Sequence, residues 1–116
     1  MSANSNKSIF GNLYVTGTVV TALDFDSASN INLKINIKSV RNPLEKIIKL
    51  NGVTFTWKQS QQDSIGVIAQ DIEEVFPELV KENEHHKSVN YNGLIGVLIE
   101  AIKEQQRQID ELKNTK

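Results

Sequence analysis

The chain has 116 residues, with 13 basic and 14 acidic side chains, a formal net charge of −1 and no cysteine. A chain this short forms one small domain with appendages and buries a modest core, so oligomerisation is an expected source of further stability. The near-neutral charge leaves no electrostatic footprint for nucleic acid or an anionic membrane, and the missing cysteine excludes disulfides, thiolate catalysis and cysteine-based zinc sites.

Residues 1–8 are small and polar and read as a disordered lead or the stump of a longer protein. Met1-Ser2-Ala3-Asn4 has no basic-then-apolar leader and no apolar run reaches transmembrane length, so the expectation is a soluble chain made in the cytoplasm. From Leu13 to Phe25, Leu13 and Val15 and then Val19, Thr21, Leu23 and Phe25 alternate with period two, which is strand chemistry. Such strands are marginal alone, and the segment is expected to pair with other chains or with the end of a longer fibre.

Asp26 to Asn36 is a polar connector. A short helix is expected over 43–50, with Asn42 as N-cap and Pro43 in the first turn, and Asn51-Gly52 as the turn that ends it. Val53 to Lys58 alternates as a half-buried strand, Gln59 to Ser64 forms a hairpin tip, and Ile65 to Ala69 returns as the second strand. Gln70 to Phe76 reads as a short helix stopped by Pro77, and Glu82 to Lys87 as a charged loop.

The longest element runs from about Tyr91 to Lys113. Ile95, Ile102 and Ile109 fall at a positions of a heptad, with Leu98 and Leu112 at d and Gln105 in the remaining d site. The seam predicts a coiled coil; the alternative is an amphipathic helix docked on its own domain. Ile at a with Leu at d ordinarily favours two strands.

Within the connector, Ser29 and Lys34 place a hydroxyl and an amine five residues apart. A serine hydroxyl becomes a nucleophile when a base takes its proton, and a lysine serves as that base only when its amine is neutral near pH 7. Burial lowers a lysine pKa, and Ile31, Leu33, Ile35 and Ile37 are apolar material for such a pocket. Serines near lysines are also common in polar connectors, so the pair alone is weak.

Its surroundings strengthen it. Ser29-Asn30-Ile31-Asn32-Leu33-Lys34 is followed, in order, by Ile65-Gly66-Val67-Ile68-Ala69-Gln70-Asp71, Val75-Phe76-Pro77-Glu78-Leu79-Val80, Val89-Asn90-Tyr91 and the run Leu94 to Ala101. Together, over about residues 25–113, these blocks resemble the C-terminal intramolecular chaperone domain of phage tailspikes, tail fibres and endosialidases, a Ser/Lys self-cleaving module. The resemblance implies a homotrimer, and a cut at Ala28-Ser29 with Ser29 as nucleophile and Lys34 as base. Two positions depart from the family's usual Ser-Asp-x-Arg-x-Lys pattern. Asn30 stands for Asp, and its amide can still bond an oxyanion or orient the backbone; Asn32 stands for Arg, removing a cation that helps keep the lysine neutral.

Other candidates are weaker. His85-His86 beside Glu82 and Glu84 read as a solvated loop, because adjacent histidines converge poorly on one ion. Asp71, Glu73 and Glu74 read as surface on a short helix. Phe55, Trp57 and Tyr91 read as core packed on Phe76 before a ligand-stacking surface, and Gly93 and Gly96 as sites of close approach between chains.

The expectation is therefore an α+β chain: a small antiparallel sheet over 53–69, short helices over 43–50 and 70–76, and a long C-terminal helix in a trimeric coiled coil, preceded by a β-stranded fibre stub. Residues 1–28 would be the fibre end and 29–116 the chaperone domain. The implied partners are two further copies of the chain and the upstream fibre segment of the same polypeptide, with no nucleic acid, membrane, metal or cofactor. The implied locations are the host cytoplasm during virion assembly and, for the fibre, the virion tail. A non-cleaving trimerisation cap and a self-releasing module of a membrane-bound transcription factor are the rival readings; a receptor-binding tip is disfavoured because the chain lacks a broad aromatic surface.

Overall fold

In a computed structural model, which describes residues 6–115, the chain falls into two units, one ending at Asn36 and the other running Ile37–Lys116. In the first unit, the described residues carry one turn of 3-10 helix, Ile31–Leu33, and no strand. The alternation from Leu13 to Phe25 thus has no ladder within one chain, and Leu13, Val19, Leu23 and Phe25 all lie exposed. A strand without a neighbour leaves half its backbone groups unpaired, so the pattern alone cannot hold the conformation.

The second unit is α+β. Pro43 fixes the first position of α1, Pro43–Ile47, and is buried. Asn42 does not cap it: its backbone is left-handed, with φ 49° and ψ 50°, and its side chain makes no capping bond. β1, Val53–Thr56, pairs antiparallel with β2, Asp63–Gly66, with Val53 opposite Gly66 and Phe55 opposite Ser64. The hairpin closes through Trp57 N–H to the Gln62 carbonyl at 2.9 Å and Gln61 N–H to the Trp57 carbonyl at 2.9 Å.

α2, Ala69–Val75, follows, and Pro77 ends it by opening a 3-10 turn, Pro77–Leu79. A second antiparallel hairpin, β3 Val80–Glu82 with β4 Lys87–Val89, frames the expected charged loop: Glu82 and Lys87 at its ends are strand, and residues 83–86 form the connecting turn. Only Val80 and Val89, which pair with each other, are apolar in its two short strands, so composition masked the ladder. The Asn83 carboxamide oxygen holds the turn by accepting from the His85 and His86 N–H groups at 2.8 and 3.0 Å. There are two small sheets here instead of one.

α3, Tyr91–Lys113, opens where Asn90 Oδ1 accepts from Gly93 N–H at 3.2 Å. Its Leu94 and Val97 join Ile72 and Phe76 of α2 in one buried cluster, flanked by Val40, Ile47, Leu50, Val75, Leu79 and Val89. Gly93 serves this packing, since a Cβ there would lie 2.2 Å from Leu79 Cδ2, a close approach within the chain. Trp57 is exposed, set edge-on to Phe55 with ring centroids 4.9 Å apart, and is not in the core with Phe76.

Candidate functional site

The 3-10 turn Ile31–Leu33 shapes the first site. Asn30 caps it, its Oδ1 accepting from Asn32 N–H at 2.8 Å, while its carbonyl accepts from Leu33 N–H at 3.0 Å. Lys34 N–H then donates to the Ile31 carbonyl at 3.1 Å. This compact turn folds the lysine back along the connector, and Lys34 Nζ donates to Ser29 Oγ at 2.6 Å. The two groups singled out in the sequence are thus in direct contact, with Asn30 ordering the backbone between them and Ala28 immediately before the hydroxyl-bearing residue.

The same geometry corrects one expectation. Ile31, Leu33, Ile35 and Ile37 do not enclose Lys34; they are 69, 73, 85 and 63% exposed. A lone connector has no second layer of its own to press these side chains against, so the Ser29–Lys34 contact lies in the open.

The seam on α3 is the second feature. Ile95, Leu98, Ile102, Gln105, Ile109 and Leu112 are all exposed, while Leu94, Val97 and Ala101 on the neighbouring face are buried against α1 and α2. The helix therefore docks on its own domain through one face and leaves the heptad seam free on the other. The charged residues between Ile95 and Leu112, namely Glu100, Lys103, Glu104, Arg107, Asp110 and Glu111, all fall at b, c or f, away from the seam. Glu100 pairs with Lys103 at 3.3 Å, and Glu104 with Arg107, along that outer face.

The sequence reading missed how far this apolar face extends. Tyr91 sits at the d position one turn before Ile95 and lines an open groove with Phe55, Trp57, Val67 and Ile68. Ile99, at an e position, is 53% exposed. The signal was present in the heptad frame: Tyr91 fills the d site one heptad before Leu98, and Ile99, at e, falls outside a strict a/d count.

Residues 29–81 match the family model described as a chaperone of endosialidase, and the match begins at Ser29. The chain carries a domain of the endosialidase-chaperone family. Among its relatives, the long tail fiber protein Gp37 of Enterobacteria phage K3 is 33% identical over 96 aligned residues, covering 74% of this chain and 8% of that protein. The Gp37 of Salmonella phage S16 is 30% identical over 125 aligned residues, covering 97% of this chain and 16% of its own length. That of Escherichia phage AR1 is 35% identical over 87 residues, covering 66% of this chain and 8% of its own. The chain thus spans less than a fifth of each of these fibre proteins. These likenesses support a tail-fibre chaperone role for the endosialidase-chaperone domain.

Proposed function

We propose that this chain is the intramolecular chaperone of a phage tail fibre: it gathers three copies through α3, brings an upstream β-rich stalk into register, and releases itself by cutting Ala28-Ser29. The observation that carries the reading is the coincidence of two facts at one residue. Ser29 opens the family match, and it accepts a 2.6 Å hydrogen bond from Lys34 Nζ.

The chemistry follows from the dyad. Neutral Lys34 Nζ takes the Ser29 hydroxyl proton, Oγ bonds to the Ala28 carbonyl carbon, and the bond to the Ser29 nitrogen breaks as that nitrogen receives the proton. Water then hydrolyses the ester, leaving a carboxylate on Ala28 and a free amine and hydroxyl on Ser29. Residues 1–28 stay with the fibre and 29–116 depart. Assembly in the host cytoplasm puts the fibre in the virion tail and the released domain outside it.

The folding logic is kinetic. Interwound β fibres have high contact order and sticky edges, and joining three chains through a locally formed helix raises the effective concentration of the strands. After the cut, the stalk is held by its unfolding barrier.

One observation favours a non-cleaving cap: the open surroundings of Lys34 in a single chain. The test of the chaperone role is to express a fibre chain with and without residues 29–116. The proposal expects soluble, protease-resistant trimer only with them. Equal yields of folded stalk from both would overturn it.

A further inference from the structure

Ile99 is an apolar side chain of α3 that neither the domain core nor the a/d seam accounts for. It lies at the e position between Ile95 and Ile102, is 53% exposed, and is no part of the buried core of Ile72, Phe76, Leu94 and Val97 or of its partly buried flank. The two flanks of the seam are therefore unlike. On the e side, Ile99 and Gln106 are open to solvent. On the g side, Leu94 and Ala101 are buried against the helix's own domain.

Resting on the reading of α3 as an assembly seam, we propose that Ile99 of one copy docks beside Leu94 of the next, sealing the edge of that copy's hydrophobic core. In a parallel coil a g residue faces the e residue five positions later on the neighbouring helix, where soluble coils commonly place salt bridges. In this register Leu94 meets Ile99 and Ala101 meets Gln106, and no charged side chain occupies either pairing. The occupant of the open e flank is thus a second copy of this chain, matched apolar to apolar. Because the domain sits on the g side, its edge is carried to the open e side of its neighbour, a head-to-tail contact that closes as a ring. Such flanking contacts are buried more deeply in three strands than in two, which offsets the two-strand preference of Ile at a with Leu at d.

The test is sedimentation equilibrium on the wild type, Ile99→Gln, Ile99→Leu and, as an outer-face control, Lys103→Gln. Ile99→Gln is expected to keep the far-ultraviolet helix signal and to raise the midpoint concentration for dissociation by at least about tenfold, the order expected for losing burial of one aliphatic side chain. Ile99→Leu should stay near wild type, and Lys103→Gln should change nothing. Wild-type association that Ile99→Gln leaves within about twofold, while Ile102→Asp abolishes it, would overturn this contact and spare the seam. A monomeric wild type would instead remove the seam, and this contact with it.

Discussion

At the scale of single residues, the dyad makes the sharpest demand. Lys34 reaches Ser29 at 2.6 Å because the Asn30-capped turn spans the gap, so Lys34→Ala removes the base without touching the core of the second unit. The chain should then stay at full mass and still assemble, as read by mass spectrometry and light scattering. Lys34→Arg should also stop the cut, since a guanidinium does not give up its proton in a protein. Two glycines of α3 should respond in opposite directions. Gly93→Ala pushes a methyl onto Leu79 and should cost about 1–2 kcal/mol by overpacking. Gly96→Ala meets nothing within 4 Å and should stabilise the helix by up to about 1 kcal/mol, because glycine is a poor helix former. Thermal melts of both variants check the pair.

At the scale of elements, α3 was the most legible part of the sequence and the second hairpin, β3 with β4, the least. The expected helix of about 91–113 is α3, Tyr91–Lys113, because heptad spacing, the Asn90 cap and a run of good helix formers agree. Leu94, Val97 and Ala101 show one expected use of the helix, docking on its own domain, while the residues of the a/d seam stay exposed beside them. β3 and β4 escaped notice because Lys81, Glu82 and Lys87 look like loop, whereas Lys87 Nζ bonds Glu73 Oε1 at 2.5 Å and ties β4 to α2. That contact, with its hydrogen bond first and the Glu73 charge behind it, raises the Lys87 pKa above its ordinary 10.5. A raised pKa means stability present below 10.5 that is lost as pH climbs through the folded value, so Lys87→Gln should matter at neutral pH and cease to matter in strong alkali. Glu104 runs the other way: its bonds to Arg107 and Gln108 lower its pKa, and its contribution fades as pH falls below 4.5 toward the folded value. The Ser29–Lys34 pair was legible, but its surroundings were not. The isoleucines and Leu33 around it name the material of a pocket, and one chain has no surface for them to close against.

At the scale of the whole molecule, the a/d face of α3 and the Ser29–Lys34 pair are both open to solvent in one chain. Ile95, Leu98, Ile102, Ile109 and Leu112 are apolar and uncovered, and Lys34 lies exposed beside Ser29. Ile102→Asp would bury a carboxylate from every copy at one layer, at a cost of several kcal/mol, and should leave a folded monomer. Because the charges between Ile95 and Leu112 lie off the seam, leaving only the terminal Lys113 on its e flank, wild-type assembly should be nearly insensitive to salt up to about 1 M, where screening acts over about 3 Å. A steep loss of assembly with salt, seen by light scattering, would place ion pairs at the interface.

Assembly should therefore license the cut. Attack requires the reacting atoms fixed to within about 0.5 Å, and an exposed connector gains that order only when neighbouring chains pack upon it. The most direct measurement is intact mass against time at neutral pH, for the wild type above its association range and for Ile102→Asp at the same concentration. The account predicts a fragment beginning at Ser29 from the assembled wild type and none from the monomeric variant. Cutting at equal rate in both would contradict it, because the site would then be complete within one chain.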